Sequence, residues 1–272
     1  MMASVAKGYC QPIARGIMYS WFVIVIAGLV INIGLILVLS LGPGLLVKRR
    51  LKSELLLKSR NKLVLTYDDG PGPLLTPPLL TLLADYGVRA SFFIVGFRAQ
   101  QHPEALAAIA RHPAGHEMGY HAQRHRHPWR TLPWVSFRDM WEGYQTMLPW
   151  LTRKAPFRPP FGKLTLWTLL LARKLGSPLC FWTHDGGDTW PVLTDPRLIV
   201  DQVARDGGGV VLLHSHDRGD DRQHYVLALT RMLLETAREK GWQVCTVTEL
   251  LNGNGDIDDH PNPTKGAADA VE

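Results

Sequence analysis

Lys62-Leu63-Val64-Leu65-Thr66-Tyr67-Asp68-Asp69-Gly70-Pro71-Gly72 is the stretch on which the reading of the fold turns. An apolar run of β-type residues, Lys62–Tyr67, breaks off into a composition typical of tight turns. The same figure repeats outward from it. Strands are predicted at Lys62–Tyr67, Ser91–Gly96, Glu117–His121, Phe157–Pro159, Leu179–His184, Gly209–His214 and Gln243–Val247. Helical patterns lie between them, at Pro77–Tyr86, Pro103–Arg111, Phe137–Leu151, Leu166–Leu175, Pro196–Arg205 and Tyr225–Lys240. Several open on an Asp or Thr cap or an early Pro, and Gly87, Gly176 and Gly241 fall where helix C-termini should lie. Strand and helix in such repeated alternation imply parallel strands joined by crossover helices, in an open doubly wound sheet or a closed barrel. Periodicity alone does not choose between the two.

The 272 residues allow one catalytic domain with a short appendage. Of the formal charge of +6, the excess sits at the N-terminus: residues 1–60 hold eight Lys/Arg against Glu54, while 61–272 hold 22 Lys/Arg against 23 Asp/Glu. A domain so balanced lacks the positive surface that nucleic acid requires, so no nucleic-acid partner is expected. The basic residues flank an apolar run, Trp21–Leu41, with no ionisable side chain and Asn32 as its main polar interruption. Its length predicts a transmembrane anchor and a single-pass membrane protein. Pro43 after Ser40-Leu41-Gly42 disfavours cleavage as a signal peptide. Four basic residues after the run (Lys48, Arg49, Arg50, Lys52) outnumber Lys7 and Arg15 before it, so charge places the domain inside while polymer substrates lie outside; orientation stays open. The expected organisation is an N-terminal flank 1–20, the anchor 21–41, a basic juxtamembrane linker 42–60, a catalytic domain 61–251 and a disordered tail 252–272. Cys10, Cys180 and Cys245 imply no disulfide framework.

Five polar features fall at the ends of successive strands, where ligands gather in parallel α/β folds. Asp68 and Asp69 close the first. Gly115–Pro128 carries His121 and His125, four apart, which on a helical turn would face one side and share a cation, with His127 nearby. Phe157-Arg158-Pro159-Pro160-Phe161-Gly162 holds Arg158 between rigid residues. Asp185-Gly186-Gly187-Asp188-Thr189-Trp190 and the strand Gly209–His214 complete the set. Two His and one carboxylate make a metal site with open positions, as hydrolysis requires.

In this order the five features resemble the polysaccharide deacetylase family, carbohydrate esterase family four, over residues 61–251. The resemblance implies a distorted (β/α) barrel of about seven or eight strands and removal of N-acetyl groups from amino sugars of a poly- or oligosaccharide. It implies Asp69, His121 and His125 as ligands of one divalent metal, zinc or else cobalt, nickel or manganese. It further implies Asp68 as general base on a metal-activated water, Arg158 as its orienting partner, and His214 as general acid tuned by Asp188. The backbone N–H of Phe161 would line the oxyanion site and Trp190 the substrate groove. Ala122, Phe161, Thr189 and His127 depart from the family pattern, and His216 is a rival acid. A glycoside hydrolase would leave the three His without a task and needs carboxylates farther apart than adjacent residues provide. Two other readings stand beside the deacetylase: an amide hydrolase on a non-sugar substrate, and a catalytically silent, membrane-tethered sugar-binding module.

Overall fold

The computed structural model describes residues 10–253, except the side chains of 10–19, 35–37, 39–41 and 43. Residues 1–9 of the expected flank and 254–272 of the expected tail lie outside the described residues.

Strand β1 (Lys62–Asp68) is the centre of one parallel sheet. Its side chains are apolar on both faces, and Leu63, Val64, Leu65 and Tyr67 have no exposed surface. Such two-sided burial is what a sheet covered by helices demands, and each side chain contributes roughly 1.5–3 kcal/mol of burial. β2 (Ser91–Ile94) pairs with β1, and β3 (Glu117–Tyr120) with β2. On the other side β5 (Gly209–His214) pairs with β1 along its length, and β4 (His184–Asp185) with β5. β6 (Gln243–Val244) pairs with the start of β1. The register sets Asp68 beside His214 and Thr66 beside Leu212.

Crossover helices α2 (Thr76–Asp85), α4 (Pro103–Ala110), α5 (Pro133–Met147), α6 (Leu166–Leu175), α7 (Pro196–Arg205) and α8 (Asp220–Glu239) follow the strands. α6 opens on a reciprocal Thr165–Thr168 capping box and closes on Gly176 at φ 66°, a left-handed conformation that costs an L side chain energy. Two short helices escaped the sequence reading, α3 (Gly96–Gln101) and α9 (Val247–Asn252).

The seven or eight strands expected for the barrel become six. Phe157–Pro159 is too proline-rich to donate a full ladder, and survives as one residue, Phe157, bridging Tyr120 and Leu179. Leu179–His184 likewise keeps only that bridge and the short β4, with the Thr183 N–H donating to the Val210 carbonyl (2.9 Å). The sheet's outer strands are thus joined through isolated contacts.

The transmembrane anchor at 21–41 is corrected. Among the described residues no helix is long and apolar enough to cross a membrane, so the preceding transmembrane helix, the membrane as a partner and the single-pass localisation fall with it. Residues 42–58 belong to helix α1 (Cys10–Lys58), and that end of it packs on the domain. Leu55 is buried, Val47 and Leu51 pack on the core, and a Cβ on Gly44 would meet the Leu164 carbonyl at 2.7 Å. Lys48 Nζ donates to the Gly162 carbonyl (3.1 Å) and lies over the Phe181 and Trp182 rings. Burial, and then the charge of Lys163, lower its pKa.

Candidate active site

Asp68 is the last residue of β1, and its carboxylate is buried. Arg158 Nη1 donates to Asp68 Oδ1 (2.7 Å) and to Thr66 Oγ1 (2.8 Å), and Nη2 donates to the Phe181 carbonyl (3.2 Å). The guanidinium, itself without exposed surface, lies 4.2 Å from the Phe93 ring centroid. Burial raises the pKa of Asp68 to about 6 against the opposing charge of Arg158. It is therefore a carboxylate of enhanced basicity that is still ionised at neutral pH.

One residue on, the chain turns sharply. Asp69 takes φ 62°, and a Cβ on Gly70 would sit 2.2 Å from Ser215 Oγ. The left-handed φ of Asp69 brings its side chain to the same site as Asp68 instead of the opposite face that a regular strand would give it. Asp69 Oδ1 lies 3.5 Å from His121 Nε2 and 3.3 Å from His125 Nε2, without a hydrogen-bond partner although buried. Asp69 Oδ2 lies 3.8 Å from His216 Nδ1. Burial would raise the pKa of Asp69, but the neighbouring His125, His121, His214 and His216 hold it far below the usual carboxylate range.

His121 and His125 do not converge on a helical turn, as their spacing suggested. β3 ends at Tyr120, and a loop follows in which Ala122 (φ 63°) and His125 (φ 52°) are left-handed. Four of the six non-glycine residues at positive φ among the described residues, Asp69, Ala122, His125 and Phe161, surround this site. Such conformations cost of order 1–3 kcal/mol each and persist only where the surroundings impose them. Here the imposing residue is Asp139 of α5, which accepts the N–H groups of Arg124 (2.9 Å) and Arg126 (3.1 Å). Gly143, one turn along α5, brings the helix so close that a Cβ would fall 2.3 Å from the Ala122 carbonyl carbon. Neither residue was singled out from the sequence. The signal available was their spacing of four on a helix beside a histidine-rich loop.

Three donors, from Asp69, His121 and His125, lie within 4.8 Å of one another. His127 is not among them; its Nδ1 accepts the Trp129 N–H (3.2 Å) and its ring packs on Phe161. His121 Nδ1 meets the Arg158 carbonyl at 2.6 Å. A carbonyl only accepts, so Nδ1 carries the proton and Nε2 presents its lone pair towards Asp69. Burial lowers both His121 and His125 to about 4, leaving neutral imidazoles at physiological pH. An orphaned carboxylate oxygen facing two neutral imidazole nitrogens fits a divalent cation by donor chemistry, zinc included.

On the other flank, His214 Nδ1 lies 3.1 and 3.2 Å from the two oxygens of the buried Asp188. Burial opposes charge on His214, but the Asp188 hydrogen bond and charge raise its pKa to about 9. Arg222 holds this arrangement from behind, donating to the Asp188 and Trp190 carbonyls. His216 stands edge-on to His214, yet burial lowers it to about 3, so it is the neutral one of the pair. Phe161, at φ 56°, packs its half-exposed ring on His125, and Trp190 stands at the rim, 40% exposed.

Residues 58–179 match the family model described as polysaccharide deacetylase. The chain is 32% identical over 194 residues to a peptidoglycan-N-acetylglucosamine deacetylase of Bacillus cereus, spanning 70% of this chain and 87% of that one. Among solved structures, it resembles a family 4 carbohydrate esterase from Streptomyces lividans in complex with acetate, with a TM-score of 0.58 and 27% identity over 68% of this chain and 91% of that one. A family 4 pseudoenzyme from Bacillus anthracis shares the fold at a TM-score of 0.60 and 21% identity, over 71% and 66% of the two chains. A fold common to enzymes and a pseudoenzyme leaves activity to be argued from the side chains.

Proposed function

Since the chain belongs to the polysaccharide deacetylase family, a family of hydrolases of sugar N-acetyl groups, we propose that it deacetylates amino sugars of a poly- or oligosaccharide with Asp68 as base and His214 as acid. The observation that carries this reading is the pair of ion pairs built on the ends of the neighbouring strands β1 and β5. Asp68–Arg158 and Asp188–His214 flank the cluster of Asp69, His121 and His125. A silent sugar-binding module has no use for a buried carboxylate and a buried imidazole whose pKa values are both raised, one still ionised and the other still protonated at neutral pH.

A divalent cation held by Asp69, His121 and His125, with zinc the best match to two imidazoles and a carboxylate, would polarise the acetyl carbonyl and acidify water beside it. Asp68 takes the proton from the attacking water, and Arg158, anchored on Thr66 and the Phe181 carbonyl, keeps that carboxylate ionised and aimed. His214, protonated at neutral pH, delivers its proton to the amine nitrogen as the amide C–N bond breaks, because an unprotonated amine leaves poorly. Asp188 maintains that imidazolium. The Phe161 N–H, set by a left-handed residue at the site, supports the developing oxyanion. Trp190 offers a ring face at the rim for a sugar.

The experiment is acetate release by the full chain from N-acetylated glycans, peptidoglycan strands and chitooligosaccharides first, with and without chelator. Release that chelator abolishes and zinc restores is expected. Absence of release from every N-acetylated glycan in metal-replete buffer would overturn the reading.

A further inference from the structure

A cavity of about 480 Å³ opens beside His125, and its walls carry the basic residues Arg98, His102 and Arg124 together with Phe97, but no carboxylate. Two backbone hydrogen bonds stitch its sides together. Gly96 N–H donates to the Ala122 carbonyl (3.0 Å) and Phe97 N–H to the Gln123 carbonyl (2.8 Å). They hold the start of α3, with Arg98, against the histidine loop, with Arg124. The Arg124 guanidinium lies over the Phe97 ring at 5.1 Å, which spends its flat face and leaves its N–H edge for a ligand.

Neither guanidinium is neutralised. Among the described residues no carboxylate lies within ion-pair distance of Arg98 or Arg124. Asp139, the nearest acid in the histidine loop's support, has both oxygens engaged by backbone N–H groups. Arg138 on the neighbouring surface, by contrast, has its own partner in Glu142 (2.7 Å).

Two like charges held together on a stiff frame repel each other, and an oxyanion between them relieves that repulsion. A guanidinium fork matches carboxylate and phosphate geometry in a way that the hydroxyls of a neutral sugar do not. The cavity shares its His125 wall with the reacting centre, so whatever fills it is joined closely to the acetylated sugar. We propose that Arg98 and Arg124 form a subsite for an acidic substituent, a carboxylate or phosphate, carried by the glycan next to its N-acetyl group. The enzyme then selects acidic N-acetylated glycans over neutral ones. This inference rests on the deacetylase reading above.

The test compares kcat/KM for acetate release by the full chain on three substrate types: a neutral chitooligosaccharide, an oligosaccharide with carboxylates on alternate sugars beside its carboxyl-reduced counterpart, and a phosphate-bearing N-acetylated glycan. An acidic substrate is expected to be preferred at least tenfold at low salt, and the preference to shrink as KCl is raised. Arg98→Gln and Arg124→Gln should each reduce the acidic-to-neutral ratio by roughly tenfold, the loss of one charge-assisted pair. Preference confined to the carboxylate or to the phosphate substrate identifies the source. Equal rates on acidic, reduced and neutral glycans overturn the subsite while leaving the deacetylase intact. No release from any of them overturns the deacetylase reading itself. The salt dependence of the unmodified protein decides the matter even if a variant fails to fold.

Discussion

Two adjacent aspartates face different partners because Asp69 itself takes a left-handed backbone conformation. Asp68 points at Arg158 and Asp69 at the imidazoles. Asp69→Asn, His121→Ala and His125→Ala are therefore expected to lose most bound metal, measured as metal content of the purified protein. Asp68→Asn should retain the metal and lose about 10²–10⁴-fold in rate, the contribution of a general base; a metal-free Asp68→Asn protein would show the assignment to be wrong. The pH profile follows from the same residues. The base works ionised, so activity falls as pH drops through the pKa of Asp68, about 6 and lower once a cation sits beside it. The acid works protonated, so activity falls as pH rises through that of His214, about 9. Asp188→Asn removes the anion that holds His214 up, and the alkaline limb should move to lower pH. An unmoved limb would exclude His214 as the acid, and His216→Ala would then be the variant to compare.

At the scale of the element, what the sequence made legible was governed by length and continuity. β5 and α6 match their sequence-derived bounds, and β1 differs by one residue, because each is a run long enough for its apolar pattern to be unambiguous. Phe157 and Leu179 reach the sheet through single bridges, which no pattern of alternation announces. α3 is six residues of mixed polarity, too short to show a helical period. The identities of the candidate site residues were readable, but the path of the backbone through His121–His125 was not, since Ala does not advertise a left-handed conformation and His, though enriched in it, adopts it only in a minority of cases. That path is dictated by α5. Gly143→Ala would drive a methyl into the Ala122 backbone and is expected to cost roughly 1–3 kcal/mol, as overpacking does. A lowered Tm and weakened metal affinity in the same variant would show that α5 sets the loop. Unchanged affinity in a destabilised protein would separate the two.

For the whole molecule, the boundary expected at Asn61 cuts through a packed unit. The matched family model begins at residue 58, yet Leu55 lies in the core and Lys48 reaches the carbonyl of Gly162, next to Phe161. A fragment starting at Asn61 loses Leu55, Leu51 and Val47 from the core's edge, where each buried side chain is worth about 1.5–3 kcal/mol. It is expected to melt below a fragment starting ahead of Gly44, and the comparison of the two Tm values checks this directly. The attachment also has a phase. Along an α-helix one residue corresponds to about 100° of rotation and 1.5 Å of rise. Inserting a single residue between Lys48 and Ser59 therefore turns the lysine away from Gly162, and removing one turns it the other way. Seven residues would restore its direction but displace it by about 10 Å. The stretch from Gly44 to Asn61 is thus held to a count as well as to a composition, a constraint that a tether between independent parts would never feel.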